Sequence, residues 1–164
     1  GYIPDARIQV DSARFFSQGN RMTYDESVEI GTVAKYLADQ SHQFTQYSGV
    51  RPNGVALIIA GIDQKGESIY VTDPSGTYVQ YAAVAIGAGS EDVNDFLEKH
   101  YNPDMSIDDA SSLAIAAINL KDKQKDGVDD IKMAKITTET KVFEKVSESD
   151  LKNYSQNASK FGTE

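Results

Sequence analysis

Six consecutive apolar residues, Val55-Ala56-Leu57-Ile58-Ile59-Ala60, stand between two clusters of chain breakers. Ser48-Gly49 and Pro52-Asn53-Gly54 precede them, and Gly61-Ile62-Asp63 follows. An apolar run this short, fenced by turn residues, reads as a strand buried on both faces. The pattern before it is helical and the pattern after it is that of further strands, so the run marks where a helical layer meets a sheet.

Upstream, Pro4-Asp5 starts a first helix, with Asp5 placed to accept first-turn amides. Ile3, Ala6, Val10, Ala13 and Phe16 or Ser17 form its stripe, and Gln18-Gly19-Asn20 is its stop. A second helix carries Ile30, Val33, Ala34, Leu37, Ala38 and Ser41 or Phe44 at helical spacing, capped by Asp25 or Ser27. Each helix has one apolar face, and both are expected on the same sheet. Downstream, Asp63-Gln64-Lys65-Gly66 leads into Ser68–Thr72, Asp73-Pro74-Ser75-Gly76 turns into Thr77–Tyr81, and Ala83–Ile86 continues as a buried segment. The loops are short enough for antiparallel strands in meander order.

Ser90 is expected to cap a third helix with stripe Val93, Phe96, Leu97 and His100 or Tyr101. Ser106 and Asp109 form a capping pair for a fourth, with Met105 stapled on Ala110 and Ala110, Leu113, Ala114, Ala117 and Ile118 buried. Lys121 to Asp130 is a charged loop. Ile131–Thr137 and Lys141–Val146 make a last hairpin, and Ser147 with Asp150 starts a short helix near Leu151–Tyr154. The order is αα-βββ-αα-ββ-α: an α+β domain over residues 1–154, followed by a polar, frayed tail at 155–164.

Composition removes whole classes of function. A formal net charge of −9 lacks the basic face that nucleic acid requires. No apolar run approaches bilayer length and no signal-like start is visible, so no membrane partner is expected. Zero cysteines exclude a disulfide framework and thiolate metal sites, which is compatible with the cytoplasm. His42 and His100 have no ligand-spaced partner and read as surface or interface residues. Gly87-Ala88-Gly89 sits where a phosphate loop would, yet lacks the third glycine and the Lys-Ser/Thr, and reads as a packing turn. Asp122–Gly127 imitates the start of a calcium loop, but Gln124 takes the third position and Met133 stands in place of the bidentate Glu. The acid pairs Asp108-Asp109 and Asp129-Asp130 point apart and form no catalytic dyad. Arg51-Pro52 is either an anion-binding loop or a charge tying down a rigid turn. No cofactor, metal or catalytic residue is expected: from the residues alone this is an α+β domain without a visible active site.

Several segments in register resemble proteasome α subunits. Phe44-Thr45-Gln46-Tyr47-Ser48-Gly49-Val50-Arg51-Pro52-Asn53-Gly54-Val55 is similar to their YTQ-x-GGVRPxGV element, which the catalytic β branch lacks. Gly1-Tyr2-Ile3-Pro4-Asp5-Ala6-Arg7 is similar to their GL-x-ADAR, and Ala60–Asp63, Asp73–Gly76, Ala83–Ser90 and Phe96–Tyr101 to their AGID, DPSG, AxAIGxGS and FLExxY segments. The AGID form leans toward archaeal members. The agreement runs from residue 1 to about residue 120, with only the hairpin pattern beyond. Gln46, Arg51, Pro52 and Gly54 are the positions that match the family turn, with Asn53 in place of an aromatic.

That resemblance implies an αββα sandwich of the N-terminal-nucleophile hydrolase type, with part of the first half missing: a gate helix and initial strands have no counterpart here, and the first residue is Gly rather than Met. It implies a non-catalytic subunit of a threonine-type protease complex. Gly1 is no nucleophile, and Ser75 and Ser90, in turns similar to ones near the β active site, have no threonine to assist. The implied work is structural. Seven α subunits form the outer ring of the 20S core, stack on the β subunits, gate the passage of unfolded substrates, and dock the C-terminal tails of AAA ATPase activators in ATPase-dependent degradation. Gly1 and Tyr2 fall on the family's activator-docking position, Tyr2 replacing Leu. The alternatives are a catalytic β-type threonine peptidase or other N-terminal-nucleophile hydrolase, and a stand-alone module binding through the Arg51 turn or the Gly87–Gly89 loop.

Overall fold

The computed structural model describes residues 1–120, 128 and 130–162. The calcium-like stretch Asp122–Gly127 and Asp129 of the second acid pair lie outside these residues. The elements follow the expected order, and the chain divides into two units, residues 1–82 and residues 83 onward.

In the first unit, β1 (Leu57–Asp63), β2 (Gly66–Thr72) and β3 (Tyr78–Tyr81) form an antiparallel meander, with Ile59 opposite Tyr70 and Val71 opposite Val79. Helix α2 (Ile30–Gln46) lies on this sheet and buries Val33, Ala34, Leu37, Ala38 and Ser41 of the expected stripe, while Ile30 is half-buried and Phe44 is exposed. Its cap is not Asp25 or Ser27. Glu29 occupies the cap position without a side-chain bond, and the Asp63 carboxylate at the end of β1 accepts from the Ile30 amide at 2.9 Å. A carboxylate at a helix N-terminus serves equally well from a distant strand.

Two expectations for this unit fail. The apolar run is not buried on both faces: burial alternates from Leu57 to Gly61, and Ile58 is exposed while Leu57 and Ile59 are half-buried. A strand turns successive side chains to opposite faces, and α2 covers one of them. Helix α1 (Ile3–Tyr24) runs through Gly19 and ends at Asp25 in the left-handed region. It packs on α2 rather than beside it on the sheet. Its buried residues are Asp5 and Gln9, with Phe16 stacked on Tyr36 at 4.2 Å, whereas Ile3 and Val10 of the expected stripe are exposed. One interior glycine costs only about 1 kcal/mol in a helix, which twenty-odd residues of hydrogen bonding and packing override.

The second unit is built on α3 (Ser90–His100), α4 (Ile107–Asn119) and α5 (Glu148–Ala158), with the hairpin β4 (Ala134–Ile136) and β5 (Phe143–Lys145). Ser106 and Ser147 cap α4 and α5, accepting from the amides of Asp109 and Asp150 at 3.1 and 3.2 Å. Gly89, not Ser90, is the cap residue of α3. Helix α4 is buried on two sides, which a single-stripe reading misses. Leu113 and Ala117 join Phe96 and Leu97 of α3, while Ile115 joins Leu151 and Tyr154 of α5. Ser111 and Ser112 are also buried, their hydroxyls donating to the carbonyls one turn back, and Ala110, Ala114 and Ile118 face outward.

Residues Ala83–Ile86 form no strand. The Asn94 side chain instead accepts from the Ala85 amide at 2.7 Å and donates to the Ala85 carbonyl at 3.1 Å, replacing a ladder partner. The order also continues past Tyr154. α5 passes into a 3₁₀ turn at Ser159–Phe161, and Phe161 packs on the α3–α4 cluster with its ring edge-on to His100. One aromatic residue is enough to anchor a segment that otherwise reads as a polar tail.

Candidate functional site

The start of α1, the turn before β1 and the middle of α2 meet in one corner, and side chains rather than backbone pairing hold it. Asp5 is turned inward from the first turn of α1. Its carboxylate takes both ends of the Arg51 guanidinium, at 2.7 and 2.8 Å, and a third bond from the Gly54 amide at 2.9 Å. A fork of this kind fixes the plane of the guanidinium as well as its position. Arg51 also donates to the Pro52 carbonyl at 3.0 Å, and its guanidinium lies over the Tyr2 ring, 5.2 Å from the centroid.

The charges of the pair are set by these contacts. The hydrogen bonds from Arg51, then that from the Gly54 amide, lower the Asp5 carboxyl from 3.8 to about 2, against the opposite pull of desolvation. Asp5 in return raises the Arg51 guanidinium. The Asp5 side chain is 8% exposed and that of Arg51 62%, so the acid is sealed and the cation keeps an open face. Such a face can meet a carboxylate from another chain.

The backbone closes the corner from the other side. The Tyr2 amide donates to the Gly54 carbonyl at 2.8 Å. A Cβ on Gly1 would lie 2.6 Å from that same oxygen and 2.9 Å from the Val55 Cα, so only glycine lets the two segments approach this closely. Beneath them runs a polar chain. Gln9 and Asn53 both donate amide hydrogens to the Ser41 hydroxyl, at 2.9 and 3.2 Å, joining α1, the turn and α2.

Of the positions singled out in the sequence, Gly1, Tyr2, Arg51, Pro52 and Gly54 therefore come together. Gln46 does not join them. It is the last residue of α2, exposed, with its amide donating to its neighbour Thr45 at 3.1 Å. Arg51 is tied to Asp5, the partner that the sequence left unnamed, and keeps an exposed face beside the turn. Asp5 is no helix cap: Tyr2 holds the cap position and makes no side-chain cap bond. The signal that could have revealed this was the i, i+4 pair Asp5 and Gln9, two polar residues on the face that packs.

The remaining candidates are accounted for locally. His42 Nδ1 lies 3.4 Å from the Ser75 carbonyl and His100 Nδ1 lies 2.9 Å from that of Phe96. Ser75 donates to Asp73 at 2.5 Å within its own turn. Gly87 and Gly89 both have positive φ, as a tight turn into α3 requires. Among the described residues no three His, Cys, Asp or Glu side chains are grouped to hold a metal. Among them too, no helix is long and apolar enough to cross a membrane.

Comparison with known proteins places these features in a family context. The family model for the proteasome subunit matches residues 1–136. Over 158 residues the chain is 41% identical to the proteasome subunit alpha of Archaeoglobus fulgidus, covering 96% of this chain and 64% of that protein. It is 40% identical to that of Saccharolobus islandicus over 158 residues, covering 95% and 66%. For Pyrococcus horikoshii the identity is 41% over 154 residues, covering 94% and 58%. The chain thus spans roughly three-fifths to two-thirds of the length of the curated relatives it matches.

Proposed function

Because the chain belongs to the proteasome subunit family, we propose that it works as a non-catalytic α-type subunit of the 20S core. In this reading its copies pack side by side in a seven-membered outer ring on the β subunits, in the cytoplasm. That ring gates the entry of unfolded substrates and receives the C-terminal tails of AAA ATPase activators at the corner of Gly1, Tyr2 and Arg51. The open face of Arg51, held in place by Asp5, is the group there that suits a terminal carboxylate. The fold proposed with this function is the αββα sandwich. Each unit contains an antiparallel sheet and helices, and in the first unit α2 lies on the sheet, which is compatible with that architecture.

The observation that carries the proposal is the outer surface of α1. Ile8, Phe15 and Met22 recur every seven residues along one flank, and Ile3 and Val10 occupy the other, all exposed. Between them runs a polar ridge that includes Arg7, Asp11 and Arg14, with Arg14 donating to Asp11. A helix that puts large apolar side chains on both flanks of a polar ridge is suited to being covered by further protein, which in this reading includes the neighbouring subunits. A self-contained peptidase needs no such surface.

The test is to mix the purified chain with proteasome β subunits and follow both size and peptide hydrolysis. Co-sedimentation in a ring-sized particle, with no cleavage by the chain alone, is the expected result. A defined monomer that cleaves peptides would give the reading over to the threonine-hydrolase alternative. A silent monomer that ignores the β subunits would leave only a stand-alone binding module.

A further inference from the structure

Asn53 and Gly54 form the turn of the Gly1–Arg51 corner, and together they carry a covalent chemistry of their own. Of the asparagines in the sequence, Asn53 alone is followed by glycine. The backbone nitrogen after an asparagine can attack the side-chain amide carbon and close a ring, which is one reason asparagine is thermolabile. Glycine favours that attack most, because it leaves the nitrogen unshielded and its own backbone free to turn. Asn53 is also where this chain departs from the Arg-Pro-x-Gly turn that it resembles.

The fold restrains both reacting groups. Asn53 Nδ2 donates to the Ser41 hydroxyl of α2 at 3.2 Å, and the Gly54 amide donates to the Asp5 carboxylate of α1 at 2.9 Å. The nucleophile and the carbon it must reach are thus tied to different helices. The Arg51 hydrogen bonds lower the Asp5 carboxyl to about 2, so Asp5 holds the Gly54 proton without being basic enough to remove it. Asn53 is half-buried and Gly54 exposed, so base and water reach them once the restraints release. Both groups and both restraints belong to residues 5–54, and ring closure needs no partner surface.

We propose that Asn53-Gly54 is a self-modification site, converted to aspartate or isoaspartate when the corner opens, and that conversion stops the corner from closing again. Base takes the Gly54 amide proton and the nitrogen attacks Asn53 Cγ. The N–Cγ bond forms, the Cγ–Nδ2 bond breaks, and Nδ2 leaves as ammonia with a proton from solvent. Water then opens the imide, at the side-chain carbonyl to give aspartate or at the main-chain carbonyl to give isoaspartate. Neither product keeps the Nδ2 donor to Ser41, and isoaspartate adds a methylene to the backbone. Even a Cβ on Gly1 would stand 2.6 Å from the Gly54 oxygen, so the lengthened chain has no room there. The chemistry is the same whatever the corner binds.

The experiment keeps the whole chain in mildly alkaline buffer and follows deamidation at Asn53 by peptide mass mapping. Conversion is expected to be about tenfold or more faster in guanidinium above the unfolding transition than in the folded chain. Asp5→Ala should speed the folded chain's reaction about tenfold or more, and Ser41→Ala about threefold to tenfold, each in step with faster amide exchange at Gly54. Leu113→Ala, which empties the core of the second unit, should lower the melting temperature without raising the rate. Asn53→Gln should abolish the mass change. The purified converted chain should exchange its Gly54 amide faster than the parent, which decides the matter even where Asp5→Ala fails to fold. Equal rates in the folded and unfolded chain, no acceleration by Ser41→Ala, equal acceleration by Leu113→Ala, or unchanged Gly54 exchange after conversion would each overturn the proposal.

Discussion

Replacing Phe15 by Glu separates what α1 does for its own fold from what it does for assembly. Phe15 is 78% exposed, with Ile8 at 67% and Met22 at 87% along the same flank. Glu is at least as good a helix former as Phe, so the substitution is expected to move the stability of the isolated chain by no more than about 0.5 kcal/mol. Fully burying one such side chain contributes roughly 1.5–3 kcal/mol. Scaled by these exposures, a neighbour that covers the flank gains roughly 3–7 kcal/mol from the three residues, and about 1–2 kcal/mol of it from Phe15. Phe15→Glu should therefore weaken each contact roughly five- to thirtyfold, or more where the carboxylate is left buried without a partner. Sedimentation velocity over a concentration series with β subunits reads this directly, with the melting temperature as the control for folding. Unchanged assembly by Phe15→Glu, and by Ile8→Asp in the same experiment, would mean that this flank is not an interface.

Further perturbations test the elements behind the site. Asp5→Asn should destabilise the chain in a pH-dependent way. The folded carboxyl is lowered to about 2 from 3.8, so its contribution is full above the unfolded value and is lost as pH falls through 2. Acid titrations of the two proteins should run apart above about pH 5 and converge near pH 2; parallel curves would refute the Asp5–Arg51 account. Leu37→Ala empties the centre of α2 and should cost about 2–5 kcal/mol in urea unfolding. Gly76→Ala should cost more than about 1 kcal/mol, since φ is +91° and the new Cβ would sit 2.8 Å from the Ala38 carbonyl. Asn94→Leu, which leaves both polar groups of Ala85 without their partner, should cost about 1–3 kcal/mol and raise amide exchange at Ala85.

Most of the element order was legible because periodicity reports which face of an element is covered. The centre of the α2 stripe and the capping pairs of α4 and α5 came through, since those signals are local. The failures share one cause: they turn on partners distant in sequence. Asp63 caps α2 from the far end of a strand, Asn94 stands in for a strand beside Ala85, and Phe161 anchors a segment that looks like a tail. The two-sided burial of α4 was hidden in the same way. A helix packed on α3 and α5 at once shows two short stripes with small polar residues between them, and Ser111 and Ser112 disguise the pattern by returning their hydroxyls to the helix backbone.

The corner at Gly1 and Arg51 shows the same limit where it matters for function. Its residues were legible as a motif, but not the interaction that joins them. A sequence displays Arg51 beside Pro52 and Asp5 beside Pro4, and each then has a sufficient local explanation, as a turn charge and a helix cap. Only the fold sets them in bidentate contact. The consequence for α1 follows directly. Because its inward face is spent on Asp5 and Gln9, which hold the corner through hydrogen bonds, its apolar residues are left on the flanks. The helix is thus fixed to α2 and to the turn before β1 by polar contacts and the Phe16–Tyr36 stack, and leaves Ile3, Ile8, Val10, Phe15 and Met22 exposed. That division of labour suits a subunit whose stability is completed by its neighbours. It also means that breaking Asp5–Arg51 should loosen the corner and disturb the flank of α1 together, so Asp5→Asn is expected to weaken assembly although Asp5 itself is buried. Assembly by Asp5→Asn at the parent's concentration, with the corner shown by amide exchange to be loosened, would uncouple the two.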